Sequence, residues 1–172
     1  MNAGAKWAEI NVLPLRIYLS GRYRDRRFYR AIRGILNQQH RVVSSWLDEG
    51  DEHPPESVGD RRIAALDITD LLETDLLICD TRFSFSPHSG GGREFERGFA
   101  YAQGARLWRV GPCRQTFHYL DDRVWTNWPP VIQALGCTMD SYEEYKRAAL
   151  RVFFEDESKS ADGGSKGKGE DT

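Results

Sequence analysis

Asp75-Leu-Leu-Ile-Cys-Asp-Thr81, a Pro/Ser/Gly-rich stretch, and then Gly90-Gly-Gly-Arg-Glu-Phe-Glu-Arg-Gly-Phe-Ala100 together decide the fold of this chain. The apolar run Leu76 to Cys79 is short enough to be a buried parallel strand, and the glycines after it lead into a helix with carboxylates in its first turns. In an open α/β sheet, ligands collect outside the carboxyl ends of the strands, and backbone N–H groups at the following helix start favour negatively charged ligand groups. This segment is therefore expected to hold a ligand site, with Glu96 inside it. A sugar phosphate fits that description.

Upstream, Arg16-Ile-Tyr-Leu-Ser20 is a short apolar run stopped by Gly21, and residues 23–39 place Phe28, Ile32, Ile35 and Leu36 at helical spacing. Arg41 to Leu47 reads as a second strand, and the acid-, Pro- and Gly-rich residues 48–60 read as an exposed loop suited to act as a lid. From Arg61 to Thr74, Ile63, Leu66, Leu71 and Leu72 recur at roughly helical spacing. The helix beginning near Gly91 ends at Gly104, a suitable C′ glycine, and Arg106 to Val110 supplies a further strand. Alternating strands and helices predict an α/β fold. The expectation is a single doubly wound, Rossmann-like or flavodoxin-like, mostly parallel sheet of about five strands with helices on both faces. Farther on, Phe117 to Leu120 reads as a short helix and Arg123 to Trp128 as a short strand or loop. Ser141 to Phe154 reads as a final helix, capped by Ser141 with Glu144 three residues later. The expected organisation is an extension over residues 1–15, one domain over 16–156 and a disordered tail over 157–172.

The chain has 172 residues, 40% of them hydrophobic and 29% charged, with a net charge of −2, which places it among ordinary globular proteins and gives no reason to expect a nucleic-acid polymer as partner. It contains no apolar run of membrane-spanning length and its amino-terminal residues lack a secretory core, so a cytoplasmic location without membrane attachment is expected. Cys79, Cys113 and Cys137 are widely spaced, and His40, His53, His88 and His118 form no cluster. Neither a metal site nor a disulfide framework is suggested, and Cys79 reads as an apolar filler of its strand.

By spacing alone, Glu96 is also explained as a solvated helix acid near the positive amino end. Glu94 lies two residues earlier, about 200° around the helix, so both cannot face one ligand. Asp67 sits among Ala64, Ala65, Leu66 and Ile68, an apolar neighbourhood where an unpaired acid is costly. It reads either as a functional acid or as part of a polar helix face. Asp75 looks structural, at the start of its strand. Arg22, Arg24, Arg26 and Arg27 crowd a helix start, where the dipole disfavours cations. A bound phosphate reconciles the two, and so does a solvated basic surface with salt partners such as Asp25. Trp46 reads as a core aromatic or as a surface for a base to stack on, and Trp125 and Trp128 with Pro129 and Pro130 as an exposed apolar segment suited to a subunit contact.

The ordered pieces Ile17-Tyr-Leu-Ser-Gly21, Asp67 eight residues before Asp75, the strand Leu76 to Cys79, Gly91-Gly-Arg-Glu-Phe-Glu-Arg-Gly-Phe-Ala100, and the later Val110-Gly-Pro112 resemble the nucleoside 2-deoxyribosyltransferase family and its relatives, the 2′-deoxynucleoside 5′-phosphate N-hydrolases. The resemblance spans residues 16 to about 120. It implies cleavage of the N-glycosidic bond of a 2′-deoxynucleoside or its 5′-monophosphate, with retention, through a glutamyl-sugar ester released to water or to another base. By the same resemblance Glu96 is the nucleophile, Asp67 the second catalytic acid, and Tyr18 a phenol touching the nucleophile or sugar. Gly21, Arg22, Arg24, Ser89 (or Ser86), Gly91, Gly92 and Arg93 then surround the substrate and its phosphate. Gly90 stands where the transferases carry an aspartate, which weakens the case for plain nucleoside exchange. The resemblance implies no cofactor, a small-molecule deoxynucleoside or deoxynucleotide as partner, and a homodimer or larger homo-oligomer. The competing expectation is a nucleotide-binding sensor of the same fold without turnover.

Overall fold

A computed structural model describes residues 14–48, 59–82 and 91–138, together with residues 145 and 147. Its strands are β1 (Arg16–Ser20), β2 (Arg41–Val42), β3 (Leu76–Asp80), β4 (Arg106–Val110) and β5 (Arg123–Trp125), and its helices are α1 (Arg26–Leu36), α2 (Gly59–Leu72), α3 (Gly91–Ala102) and α4 (Trp128–Ala134). The five strands form one sheet in the order β2-β1-β3-β4-β5, and every pairing is parallel. This is the single Rossmann-like α/β sheet expected from the alternating pattern. Every residue of β3 is buried, as a central strand covered on both faces requires.

Strand order reverses between β1 and β3, so right-handed crossovers in opposite directions place α1 on one face and α2 and α3 on the other. Packing agrees. On the α1 face, the rings of Phe28 and Tyr29 each lie 6.3 Å from that of Trp128 on α4, while α2 contacts α3. At the amino ends of the strands, Asp75 accepts hydrogen bonds from the Arg16 backbone N–H (2.8 Å) and guanidinium (2.8 Å), tying β1 to β3 in the structural role anticipated for it.

Several elements depart from the sequence reading for visible reasons. The helix expected over 23–39 is split into a 3-10 turn over Tyr23–Asp25 and α1. The strand expected over 41–47 stops at Val42. Beyond it, the Leu19 N–H donates to Ser44 Oγ (2.6 Å) and the Leu19 carbonyl accepts from Trp46 Nε1 (2.9 Å), so side chains occupy the groups a longer β2 would have paired, and a 3-10 turn, Ser45–Asp48, follows. Trp46 is thereby a core residue. The helix ending near Gly104 is observed: α3 stops at Ala102, and Gly104 has φ +80°, a left-handed value that suits glycine.

The segment Trp125 to Pro130, expected to be exposed, is a correction. Trp128 is fully buried and starts a helix that the sequence reading did not include. The prolines occupy its first turn, where a missing N–H costs nothing. The Trp128 indole N–H donates 2.8 Å to Oδ2 of Asp80, a carboxylate that is itself fully buried and paired with Arg82. Trp125 is half-buried, its ring 5.8 Å from that of Trp108. Of the expected final helix only Tyr145 and Arg147 are described, both helical, with the Tyr145 ring 5.8 Å from Phe28. The expected lid and the expected tail lie outside the described residues, apart from Asp48 and the start of α2.

Among the described residues no helix is long and apolar enough to cross a membrane. Trp128→Phe, which keeps a ring but removes the donor to Asp80, is expected to cost about 1–2 kcal/mol in urea unfolding. Trp128→Ala is expected to cost about 3–5 kcal/mol; a loss under about 1 kcal/mol for the alanine variant contradicts the buried placement.

Candidate active site

Side chains in a strand alternate between faces, so Tyr18 and Ser20 of β1 point the same way, toward the side carrying α2 and α3. Both are buried. Along α3, Arg93, Arg97 and Ala100 are buried, and Glu96 stands at the edge of this inward stripe. Its stem is partly exposed, but its carboxylate is enclosed and meets the strand: the Tyr18 hydroxyl donates to Oε1 at 3.2 Å and the Ser20 hydroxyl to Oε2 at 2.5 Å.

Asp67 reaches the same phenol from α2. Here the structure revises the reason for expecting a functional acid. Ala64, Ala65, Leu66 and Ile68 are exposed, whereas Ile63, Asp67, Asp70 and Leu71 form the inward stripe at helical spacing. The apolar neighbours in sequence are not neighbours in space. Asp67 is turned inward because it shares a face with Leu71, which is fully buried, and with Asp70, which accepts the Ser45 N–H at 2.7 Å.

Arg93 completes the cluster. It is buried, its Nη1 donates 3.0 Å to the Asp80 carbonyl at the end of β3, and its charge is felt by Glu96. Burial pushes the Glu96 carboxyl up to about 7. The Ser20 hydrogen bond opposes this, the Asp67 charge adds to it, and Tyr18 and Arg93 oppose it again. Tyr18 is held well above the usual phenol range, first by burial and then by the Glu96 charge, so it stays a hydrogen-bond donor.

The structure thus brings Tyr18, Asp67, Glu96 and Arg93 together and adds Ser20, which the sequence reading quoted only as part of a motif. Its signal was legible: it follows Tyr18 by two residues and so shares its face at the carboxyl end of the strand. The remaining residues are placed as follows. Gly21 permits close approach, since a Cβ there would lie 2.3 Å from the Tyr29 ring. Arg22 is buried and paired with Asp25, the salt partner anticipated among its alternatives, whereas Arg24 is exposed on the adjacent turn. Gly91 and Gly92 open α3, and a Cβ on Gly92 would meet nothing within 4 Å. Ser86 and Ser89 lie outside the described residues.

Glu94 is directed away from this cluster. It faces His118 Nε2 at 3.3 Å and Arg97 at 3.4 Å, beside an Arg97–Asp121–Arg109 network with two 2.7 Å ion pairs. His118 Nδ1 accepts the Arg114 N–H at 3.1 Å, which assigns the proton to Nε2, and burial lowers the proton affinity of the ring. On the strand side, burial pushes the Cys79 thiol up to about 12, consistent with a filler.

A carboxyl moved from its ordinary 4.5 to about 7 binds its proton more tightly folded than unfolded, so stability contributed by Glu96 is greatest below pH 4.5 and falls as pH rises to about 7. Glu96→Gln is therefore expected to be stabilised relative to the parent above pH 7, on the order of 3 kcal/mol, with the difference shrinking toward pH 4. Thermal or urea unfolding across that range checks it; a difference independent of pH contradicts an enclosed carboxylate.

No family model matches the chain, and no curated protein matches it. Among solved structures it is similar to the CMP N-glycosidase BcmB of Clostridium botulinum, with 18% sequence identity, a TM-score of 0.43, and coverage of 70% of this chain and 98% of that chain.

Proposed function

We propose that the chain cleaves the N-glycosidic bond of 2′-deoxynucleosides or their 5′-monophosphates, with Glu96 as nucleophile and Asp67 as acid and base. The observation that carries this reading is the Glu96 carboxylate held by Tyr18 and Ser20 in a buried site that Asp67 also faces. The choice of sugar and the 5′-phosphate rest on the resemblance of the motifs quoted above.

The phenol shared by the two acids supports the assignment of roles. Tyr18 has one hydroxyl proton and two carboxyl neighbours. Its hydroxyl donates to Glu96 Oε1, and Asp67 reaches the same phenol from α2. Retaining glycosyl chemistry demands one carboxyl as acid and one carboxylate as nucleophile at a single site, and the shared phenol brings Asp67 and Glu96 to such a site. Attack by a Glu96 oxygen lone pair forms a bond to C1′ as the C1′–N bond breaks. The bonding pair leaves on the base, which takes the Asp67 proton. Water, or a second base, then attacks C1′ and returns the carboxylate, with Asp67 accepting the proton released. Arg93 sits beside the nucleophile as a fixed positive charge, suited to an anionic substrate.

Separation of products after incubation with deoxynucleotides, with and without free bases, is expected to give released base or an exchanged nucleotide. Glu96→Ala and Glu96→Gln are expected to lose at least about 10³-fold in kcat. The rate should fall below about pH 7 as Glu96 takes up its proton. Full activity in Glu96→Gln excludes the nucleophile role; ligand-induced stabilisation without any base release favours a nucleotide sensor of the same fold.

We propose further that a second copy of the chain is the partner. Leu66 (41% exposed) and Leu72 (57%) on α2, and Phe95 (57%) and Tyr101 (54%) on α3, turn apolar surface outward on the two helices that carry the catalytic acids. Sedimentation is expected to show a dimer that Leu72→Glu weakens; a monomer at all concentrations removes this proposal.

A further inference from the structure

The two oxygens of Glu96 are held unequally. Oε2 accepts the Ser20 hydroxyl at 2.5 Å, the length of a strong charge-assisted bond, while Oε1 accepts the Tyr18 phenol at 3.2 Å. Ser20 is the last residue of β1, buried, and fixed by backbone pairing opposite Cys79 of the central strand. Its hydroxyl is therefore anchored beside the buried central strand of the sheet, whereas Glu96 reaches it through a three-torsion stem from a helix.

We propose that Ser20 is a positioning residue for Glu96, anchoring Oε2 as the future carbonyl oxygen of the glycosyl ester and leaving Oε1 as the oxygen that attacks. This rests on the reading of Glu96 as nucleophile. When Oε1 donates a lone pair to C1′, the C1′–N bond breaks and its electron pair leaves on the base, which is protonated by Asp67. Oε1 becomes the bridging ester oxygen, a much poorer acceptor, and Oε2 becomes a carbonyl that still accepts a hydrogen bond. An enzyme that kept its stronger bond on the attacking oxygen would have to give it up during the reaction. Here the stronger bond lies on the oxygen that keeps it, and the longer phenol bond is the one surrendered. The same anchor removes rotational freedom from a three-torsion side chain and so holds Oε1 in an attacking position.

The test uses the full chain and 2′-deoxynucleoside 5′-monophosphates. Ser20→Ala is expected to lower kcat about 10- to 100-fold, the worth of one hydrogen bond to a charged group, with KM changed less than about twofold. Losing this donor should also move the acid limb of the pH profile to higher pH. In protein carrying ¹³C-labelled glutamate, with the ester trapped by a slow 2′-fluorinated substrate, the ester carbonyl stretch should lie at higher wavenumber in Ser20→Ala than in the parent. Unchanged kcat and acid limb in a folded Ser20→Ala protein overturn the positioning role. A carbonyl stretch unmoved by Ser20→Ala but moved by Tyr18→Phe overturns the oxygen assignment while leaving Glu96 as nucleophile. Absence of any adduct on Glu96 in the parent, with Glu96→Gln still active, overturns the underlying function instead.

Discussion

The parallel pairing of β1 with β3, residues Ile17 to Ser20 against Leu76 to Cys79, is the constraint on which everything else rests. It is where the strand order reverses, and therefore where the connections to the two faces of the sheet part. It also fixes which side chains of β1 face α2 and α3. A slip of one residue in β1 would turn Tyr18 and Ser20 to the α1 face and bring Ile17 and Leu19 round in their place. The Arg16–Asp75 bonds at one end of the pair and the buried Asp80 at the other guard against such a slip.

Around this seam the protein distributes charge by face. On the α1 side, Asp80 is neutralised by Arg82 and bonded by Trp128. Near the far edge, Asp121 lies between Arg97 and Arg109, and Glu94 between Arg97 and His118. These buried ions have counter-charges at short range, the condition under which burial is tolerated. Glu96 is treated differently: burial, and after it the Asp67 charge, raise its proton affinity against the opposing effect of two hydroxyl donors and the Arg93 guanidinium. A buried carboxylate without a close counter-charge among the described residues, beside a second acid, marks a candidate functional site.

How much of this could be read beforehand differs from element to element. β1, β3, β4 and the helix from Gly91 to near Gly104 were legible because apolar runs of strand length, glycine stops and helical spacing are local signals. β2 was read too long because Ser44 and Trp46 send their side chains to Leu19, a contact across 25 and 27 residues that no local pattern announces. Trp128 was read as exposed because Pro-Pro suggests a loop, whereas here the prolines start a helix and the indole finds a buried acid 48 residues away. In α2, Ile63 and Leu71 face inward together with Asp67 and Asp70 while Leu66 and Leu72 face outward, so hydrophobic periodicity located the helix but only part of its inward face.

The sequence by itself determined the alternation of strands and helices, hence the parallel sheet, because periodicity and chain-breaking residues act over a few neighbours. It also singled out Glu96, Asp67 and Tyr18 through the order of short motifs. Only the tertiary structure decided that these three converge, that Ser20 joins them, and that Glu94 turns away toward His118. Convergence depends on strand register and on which side of each helix faces the sheet, and those are set by contacts between residues far apart along the chain.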